Sequence, residues 1–73
     1  MGRKKSEMNW RLRFGTNLKI IMRDRGYDQR SLAEAVGVNE STISRYCAGS
    51  IVPSGPVITK IASVLRCDPT DLI

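Results

Sequence analysis

The chain of 73 residues contains no histidine and only two cysteines, Cys47 and Cys67. A zinc site normally needs four ligands, so we expect no metal. We expect no small-molecule cofactor either. The sequence also lacks a nucleophile beside a base, paired carboxylates in a plausible pocket and a phosphate loop, which argues against an enzyme. We therefore expect a binding protein whose two thiols stay reduced and unpaired.

Long apolar runs are absent as well. The longest are only a few residues, which is too short to cross a membrane. The start, MGRKKSEMNW, is positively charged but has no apolar stretch behind it, so it is not a secretory signal. These features predict a cytoplasmic protein with no membrane partner. No segment alternates polar and apolar residues with the period of a strand, so we expect an all-α fold.

The net charge of +5 is concentrated near the start of the chain. Residues 1–25 hold eight Lys or Arg against Glu7 and Asp24, which gives +6, whereas residues 26–73 hold four against five acids, which gives −1. A basic end suits a polyanion such as nucleic acid, although many small proteins carry a similar excess. We predict a flexible basic arm over 1–9, which follows the DNA backbone, enters a minor groove or is simply solvated, and one folded domain over 10–73.

Glycines and capping residues divide the folded part into short helices. Left-handed helix terminators are expected at Gly26, Gly37 and Gly49. Residues suited to an N-cap precede the next stretches at Asp28, Asn39, Ser54 and Asp68. The pattern predicts helices at about 10–25, 29–36, 40–48 and 55–65 and a last turn at 69–72. The predicted buried residues are Phe14, Leu18, Ile21, Met22, Leu32, Ala33, Val36, Ile43, Tyr46, Cys47, Ile58, Ile61, Ala62 and Leu65. Trp10 and Tyr27 are expected to pack against this core rather than to stack on a ligand.

The third predicted helix has a polar face made mostly of small side chains. Away from its core residues it presents Glu40, Ser41, Ser44, Arg45 and Ala48. Short side chains let a helix approach the floor of a groove, where arginine can donate two hydrogen bonds to guanine O6 and N7. Glutamate can accept a hydrogen bond from the amino group of cytosine. Taken alone, however, this face is explained at least as well by simple solvation.

The order and spacing of these features resemble the Cro/C1-type (XRE-like) helix-turn-helix family of phage and bacterial repressors. The resemblance covers about residues 14–73. The matching residues are Leu18, Gly26, Gln29, Leu32-Ala33, Val36-Gly37-Val38, Thr42-Ile43-Ser44-Arg45-Tyr46, Gly49, Pro53-Ser54, Ile61-Ala62, Leu65 and Asp71-Leu72. It implies a compact five-helix, lambda-repressor-like domain. It also implies a sequence-specific double-stranded DNA-binding transcriptional regulator, most simply a repressor, that reads the major groove with its third helix.

The resemblance assigns roles to individual residues. The positions that match base readers are Asn39, Glu40, Ser41, Ser44 and Arg45. Gln29 opens the second helix, where relatives use a glutamine to hold phosphate and to brace the recognition helix. Together with the basic residues nearby, the expected phosphate contacts are Gln29, Arg30, Ser54, Gly55, Arg11 and Arg13.

The sequence departs from the family at two places. Several relatives join the first helix to the end of the third by a buried Arg–Glu pair, whereas the matching positions here are Met22 and Cys47. An apolar contact there is neutral or stabilising, because two charges no longer need desolvation. The second departure is Glu40, whose charge near phosphates lowers non-specific affinity. It argues for selectivity against particular bases or for weaker DNA binding.

One recognition helix reads few base pairs, so we expect a homodimer on a palindromic operator. Val57 and Val64 fall off the predicted core face of the fourth helix, and with Pro69 and Leu72 they form the predicted dimer patch. Single exposed valines are also common on protein surfaces.

The alternative function is an antitoxin-like or adaptor module that keeps the fold but binds another protein. Such a module would tolerate Arg45→Ala and depend on the dimer patch instead.

Overall fold

A computed structural model describes residues 9–73, and over this range the chain is all-helical. Helix α1 spans Trp10–Arg25, α2 spans Gln29–Val36, α3 spans Glu40–Ala48 and α4 spans Gly55–Leu65. The bounds agree with those predicted from the sequence. The predicted fifth helix is a single 3-10 turn at Pro69–Asp71, so the described part of the chain has four α-helices and a closing turn.

Asn9 begins the folded part of the chain. Its side-chain oxygen accepts a hydrogen bond from the Arg11 backbone N–H at 2.9 Å and so caps α1. This residue therefore belongs to the folded domain rather than to the predicted arm. The remainder of that arm, with Arg3, Lys4 and Lys5, lies outside the described residues. Within residues 9–73, no helix is both long and apolar enough to cross a membrane.

The predicted N-cap residues behave in two different ways. The carboxylates of Asp28 and Asp68 accept hydrogen bonds from the backbone N–H groups of Ser31 and Thr70, at 2.8 and 3.0 Å. Asn39 and Ser54 occupy the N-cap positions of α3 and α4 with extended backbone, but neither side chain makes a capping hydrogen bond. The prediction that Asn39 caps α3 is therefore wrong for its side chain. Glu40, in the first turn, supplies negative charge at this end of α3 instead.

The core lies between the helix pairs α1–α3, α2–α3 and α2–α4. Its largest fully buried side chains are Phe14, Leu18, Leu32, Ile43, Ile61, Leu65 and Leu72. Ile21 and Ile58, which were predicted to be buried, are half-buried at the edge of this core. Trp10 stays 42% exposed and packs edge-to-face on Phe14 at a centroid distance of 6.5 Å, which confirms its expected packing role. Both cysteines are unpaired, as expected.

Leu72 closes the core from the last turn. Its side chain is fully buried, and its backbone carbonyl accepts a hydrogen bond from the Asn17 side chain of α1 at 3.2 Å. The prediction that Leu72 belongs to an exposed dimer patch is therefore wrong, because the domain itself uses this side chain to cover its core.

Arg25 joins the last turn of α1 to the end of α4. Its Nε donates a hydrogen bond to the Leu65 carbonyl at 2.8 Å, and a terminal nitrogen donates to the Arg66 carbonyl at 3.4 Å. Arg66 ends α4 in the left-handed conformation, at φ 58°, where glycine is the usual residue. The guanidinium group of Arg25 thus satisfies carbonyl groups that the helix leaves without partners and complements the negative end of its dipole.

Replacing Arg25 with alanine should lower the free energy of unfolding by about 1–2 kcal/mol, because charged hydrogen bonds to the end of α4 are lost. Arg23→Ala is the matched control: it removes the same charge from the same turn of α1. That control should cost less than about 0.5 kcal/mol, since Arg23 lies exposed on the surface. Urea unfolding followed by circular dichroism measures both. Equal losses would show that Arg25 acts only through its charge.

Acid sensitivity should come in part from the two capping carboxylates. Hydrogen bonds from the N–H and hydroxyl of Ser31 hold the pKa of Asp28 below its ordinary value, and those of Thr70 do the same for the pKa of Asp68. A lowered folded-state pKa stabilises the fold above the unfolded value of about 3.9, and this stabilisation is lost as pH falls through the folded-state pKa.

Asparagine also caps helices, but without titrating. The double variant Asp28→Asn, Asp68→Asn should therefore show a smaller fall in Tm than the wild type between about pH 5 and pH 2. Thermal unfolding at a series of pH values measures this difference. Parallel curves for the two proteins would mean that other groups control the acid sensitivity.

Candidate nucleic-acid interface

A three-residue turn at 37–39 joins α2 to α3. Gly37 ends α2 at φ 89°, a conformation that strains other residues. The N–H groups of Gly37 and Val38 both donate to the Ala33 carbonyl, at 2.8 and 3.0 Å. Val38 packs half-buried against the core, and Ala33 is buried where α2 and α3 come together. The turn therefore holds the start of α3 at a defined angle to α2.

Helix α3 divides cleanly into a buried and an exposed face. Ile43, Tyr46 and Cys47 are buried. The predicted base readers Asn39, Glu40, Ser41, Ser44 and Arg45 are all exposed, together with Ala48. Positions 41, 44, 45 and 48 share one face because they are spaced by three, four and seven residues. The structure thus brings the predicted readers together on one surface.

Arg45 is the one long basic side chain on this face. Among residues 9–73, its side chain makes neither a hydrogen bond nor an ion pair, since the single ion pair found there joins Arg30 to Glu34. The side chains that surround it on the face are small, so nothing on α3 covers the guanidinium group. Asn39 is similarly available, because its side chain does not cap the helix.

The start of α2 lies beside the end of α3. Burial raises the pKa of the Cys47 thiol, and the charge of Lys19 and the nearby Gln29 side chain oppose that rise. The Gln29 side chain is half-buried, and its backbone N–H, in the first turn of α2, has no helical acceptor. Arg30 follows on the exposed surface, with its Nε only 3.9 Å from a Glu34 carboxylate oxygen. Such an exposed pair is weak and leaves Arg30 available.

The other predicted phosphate contacts lie beyond the end of α3. Ser54 and Gly55 are exposed at the start of α4, and the Ser54 hydroxyl makes no capping bond. Arg11 and Arg13 are exposed on either side of Leu12, which packs on Gly49 just after α3. The first turn of α1, which carries Arg11 and Arg13, therefore lies near the carboxyl end of α3.

The proposed contact between α1 and α3 is present. The Met22 and Cys47 sulfur atoms are 4.0 Å apart in the buried core, which confirms an apolar contact at these positions. Lys19 lies three residues before Met22 on α1, and its charge acts on the same thiol. Sequence reasoning counted Lys19 only in the net charge. Its spacing from Met22, which places both on the α1 face toward α3, was the signal that could have singled it out.

Because Leu72 is buried, the predicted dimer patch consists of Val57, Val64 and Pro69. Val57 and Val64 are half-buried and pack partly against the core, whereas Pro69 is exposed.

In the described part of the chain, no cluster of three or more His, Cys, Asp or Glu residues has the arrangement of a metal site.

Two short helices, a glycine turn between them and a polar, small-residue face on the second define a helix-turn-helix DNA-binding domain. Residues 17–73 match the family model of the Cro/C1-type HTH DNA-binding domain. The chain belongs to this family.

Solved structures of regulators share the fold. The restriction-modification controller protein C.AhdI from Aeromonas hydrophila is 27% identical, with a TM-score of 0.81, and the match covers 86% of this chain and 96% of that one. The clp gene regulator ClgR from Corynebacterium glutamicum is 25% identical, with a TM-score of 0.82, over 86% of this chain and 67% of that one. A search of curated proteins found no significant match.

Proposed function

We propose that the protein is a sequence-specific double-stranded DNA-binding transcriptional regulator that places α3 in the major groove. The observation that carries this proposal is the exposed face of α3, where Arg45, which has no ion-pair partner among residues 9–73, stands among serines and an alanine. Such a face approaches base edges closely and offers one strong, directional donor. Membership of a DNA-binding family and the likeness to two regulators support the same conclusion.

The base-reading roles follow from the chemistry of each side chain. Arg45 donates two hydrogen bonds to a guanine, and Asn39 pairs with an adenine edge or with another base near the start of α3. Glu40 accepts from a cytosine amino group and repels the backbone phosphates where no such partner is present. Ser41 and Ser44 complete the reading surface, since a hydroxyl donates to or accepts from several base edges.

Phosphate contacts fix the register of α3 in the groove. Gln29 supplies its side chain and a free backbone N–H at the start of α2, and Arg30 supplies charge beside it. Ser54 and Gly55, at the start of α4, and Arg11 and Arg13, near the start of α1, supply the remaining phosphate contacts.

Repression by occupancy is the simplest regulatory outcome, since a protein seated on a promoter blocks polymerase. Helix α3 has nine residues and contacts few base pairs, so two copies on a palindromic site supply the affinity and specificity that one lacks. Val57, Val64 and Pro69 are the residues that we assign to the contact between the two copies.

The first test is selection of bound sequences from a randomised duplex pool, followed by fluorescence anisotropy with the selected site. Arg45→Ala should weaken binding by about 10- to 100-fold and relax the preference at one position of each half-site, because a two-pronged contact to guanine is lost. Lys60→Ala is the matched control: it removes the same charge from an exposed position on α4. It should leave the selected sequence unchanged.

Two results would overturn the proposal. One is a wild-type protein that selects no sequence and loses all binding at moderate salt, which is the behaviour of a merely basic surface. The other is an Arg45→Ala variant that binds the selected site as the wild type does. Either result would favour the protein-interaction module.

The second test concerns assembly on DNA. Val57→Asp should change the complex with a palindromic duplex from two copies per duplex to one, because a charge buried at the contact between copies is costly. Thr59→Asp introduces the same charge at an exposed position of the same helix and should keep two copies. Sedimentation velocity counts the copies, and urea unfolding checks that both variants are folded. Two bound copies of a folded Val57→Asp variant would remove Val57 from the contact.

A further inference from the structure

Gly15 lies buried in the first half of α1, against the backbone of α3. A Cβ atom added at Gly15 would lie 2.6 Å from the Cys47 carbonyl oxygen, 2.7 Å from the Tyr46 carbonyl oxygen and 3.0 Å from the Cys47 carbonyl carbon. Gly15 does not have a positive φ, so its backbone conformation does not require glycine. Glycine weakens a helix interior relative to alanine. What requires it here is the space between two helix backbones.

Three further contacts continue this seam between α1 and α3. Leu12 packs so closely on Gly49 that a Cβ there would lie 2.5 Å from a Leu12 methyl carbon. Phe14 meets Tyr46 edge-to-face, with ring centroids 6.3 Å apart at 86°. Met22 meets Cys47 through their sulfur atoms at 4.0 Å. All of these contacts fall at or just beyond the carboxyl half of α3, directly after Arg45.

The seam and the turn therefore hold opposite ends of α3. The turn at 37–39 fixes the start of the helix through the hydrogen bonds to Ala33. Gly15 fixes how closely the far end approaches α1. With the start held, a change in that distance tilts the helix axis rather than translating the whole helix.

We infer that Gly15 is a positioning residue for base reading: it sets the tilt of α3 and thereby the reach of Arg45 into the groove. This inference rests on the proposed function, because it takes Arg45 to be a base reader. The distance between a Cβ at Gly15 and the nearest oxygen must increase by at least 0.4 Å to reach 3.0 Å, below which Cβ contacts essentially never occur. It must increase by 0.8 Å to reach 3.4 Å, where ordinary van der Waals contact begins. Backbone oxygens cannot rotate away as a side chain would. The end of α3 must therefore move outward.

A displacement of this size weakens the contact of Arg45 with a base more than it weakens the contacts with phosphates. Hydrogen bonds between nitrogen and oxygen span only about 2.7–3.2 Å and need good alignment, so a two-pronged contact to guanine tolerates little displacement. Long-range attraction to phosphates changes little over the same shift. Gly15→Ala should therefore reduce sequence preference while leaving non-specific binding at low salt unchanged.

The test compares Gly15→Ala with Gly26→Ala under conditions where both variants are fully folded. Gly26 is the C-cap residue of α1. It has a φ of 77°, and no atom lies within 4 Å of a Cβ added there. Alanine there strains the backbone and lowers stability without touching α3. The two variants thus separate a loss of stability from a change in the position of α3.

Two readouts are measured. Amide residual dipolar couplings report the orientation of α3 relative to α2 and α4, without DNA. Fluorescence anisotropy with the selected duplex and a scrambled duplex reports the specificity ratio. For Gly15→Ala we expect changed couplings confined to α3 and a specificity ratio lowered by about tenfold or more, the size of one lost base contact. For Gly26→Ala we expect neither change.

If Gly15→Ala does not fold, Cys47→Leu replaces it. Cys47 is buried against Met22, so a larger side chain there also pushes the end of α3 away from α1. The same changes in couplings and in specificity are expected.

Unchanged α3 couplings in the folded variant would overturn the inference, as would a wild-type specificity ratio. A wild type that selects no DNA sequence would overturn the proposed function and, with it, the role in base reading. The couplings would still decide whether Gly15 sets the tilt of α3, so the two failures are distinguishable.

Discussion

Helices α2 and α3 are eight and nine residues long, and helices of this length are not stable alone in water. Their existence depends on burial against α1, α4 and the closing turn. Phe14 and Leu18 from α1, Ile61 and Leu65 from α4 and Leu72 from the turn are all fully buried in the core that α2 and α3 share. The proposed DNA-binding surface is therefore the outer side of a shared core. Any change that opens the core also moves or melts α3.

No polar or charged residue is buried within residues 9–73. Where several relatives are expected to carry an Arg–Glu pair between α1 and α3, this chain has the Met22–Cys47 contact, which needs no desolvation of charge. Cohesion between the helices thus rests on packing, and the charged residues remain at the surface. Separation of this kind suits a small binding protein, because its surface charges are free to meet phosphates without weakening the core.

Much of the fold and part of the site follow from local sequence signals. The helix bounds were predictable because glycines and capping residues mark each end, and the inner face of each helix follows from the spacing of apolar residues. The exposed face of α3 was predictable for the same reason. The predictions that were wrong concern partners in space. Asn39 has the right residue type for a cap yet makes no capping bond, and Leu72 looked like a surface residue yet closes the core.

By itself the sequence determined the all-α class, the position of the helix-turn-helix and the residues on the outer face of α3, because each depends on neighbours within one or two helical turns. The tertiary structure alone decided which distant groups meet. Arg25 donates a hydrogen bond to the end of α4, forty residues away along the chain, and Asn17 donates one to the Leu72 carbonyl. Gly15 allows the backbone of α3 to pack closely against α1. Hydrophobic periodicity contains no information on these pairings, because it states which face is buried but not what is buried against it.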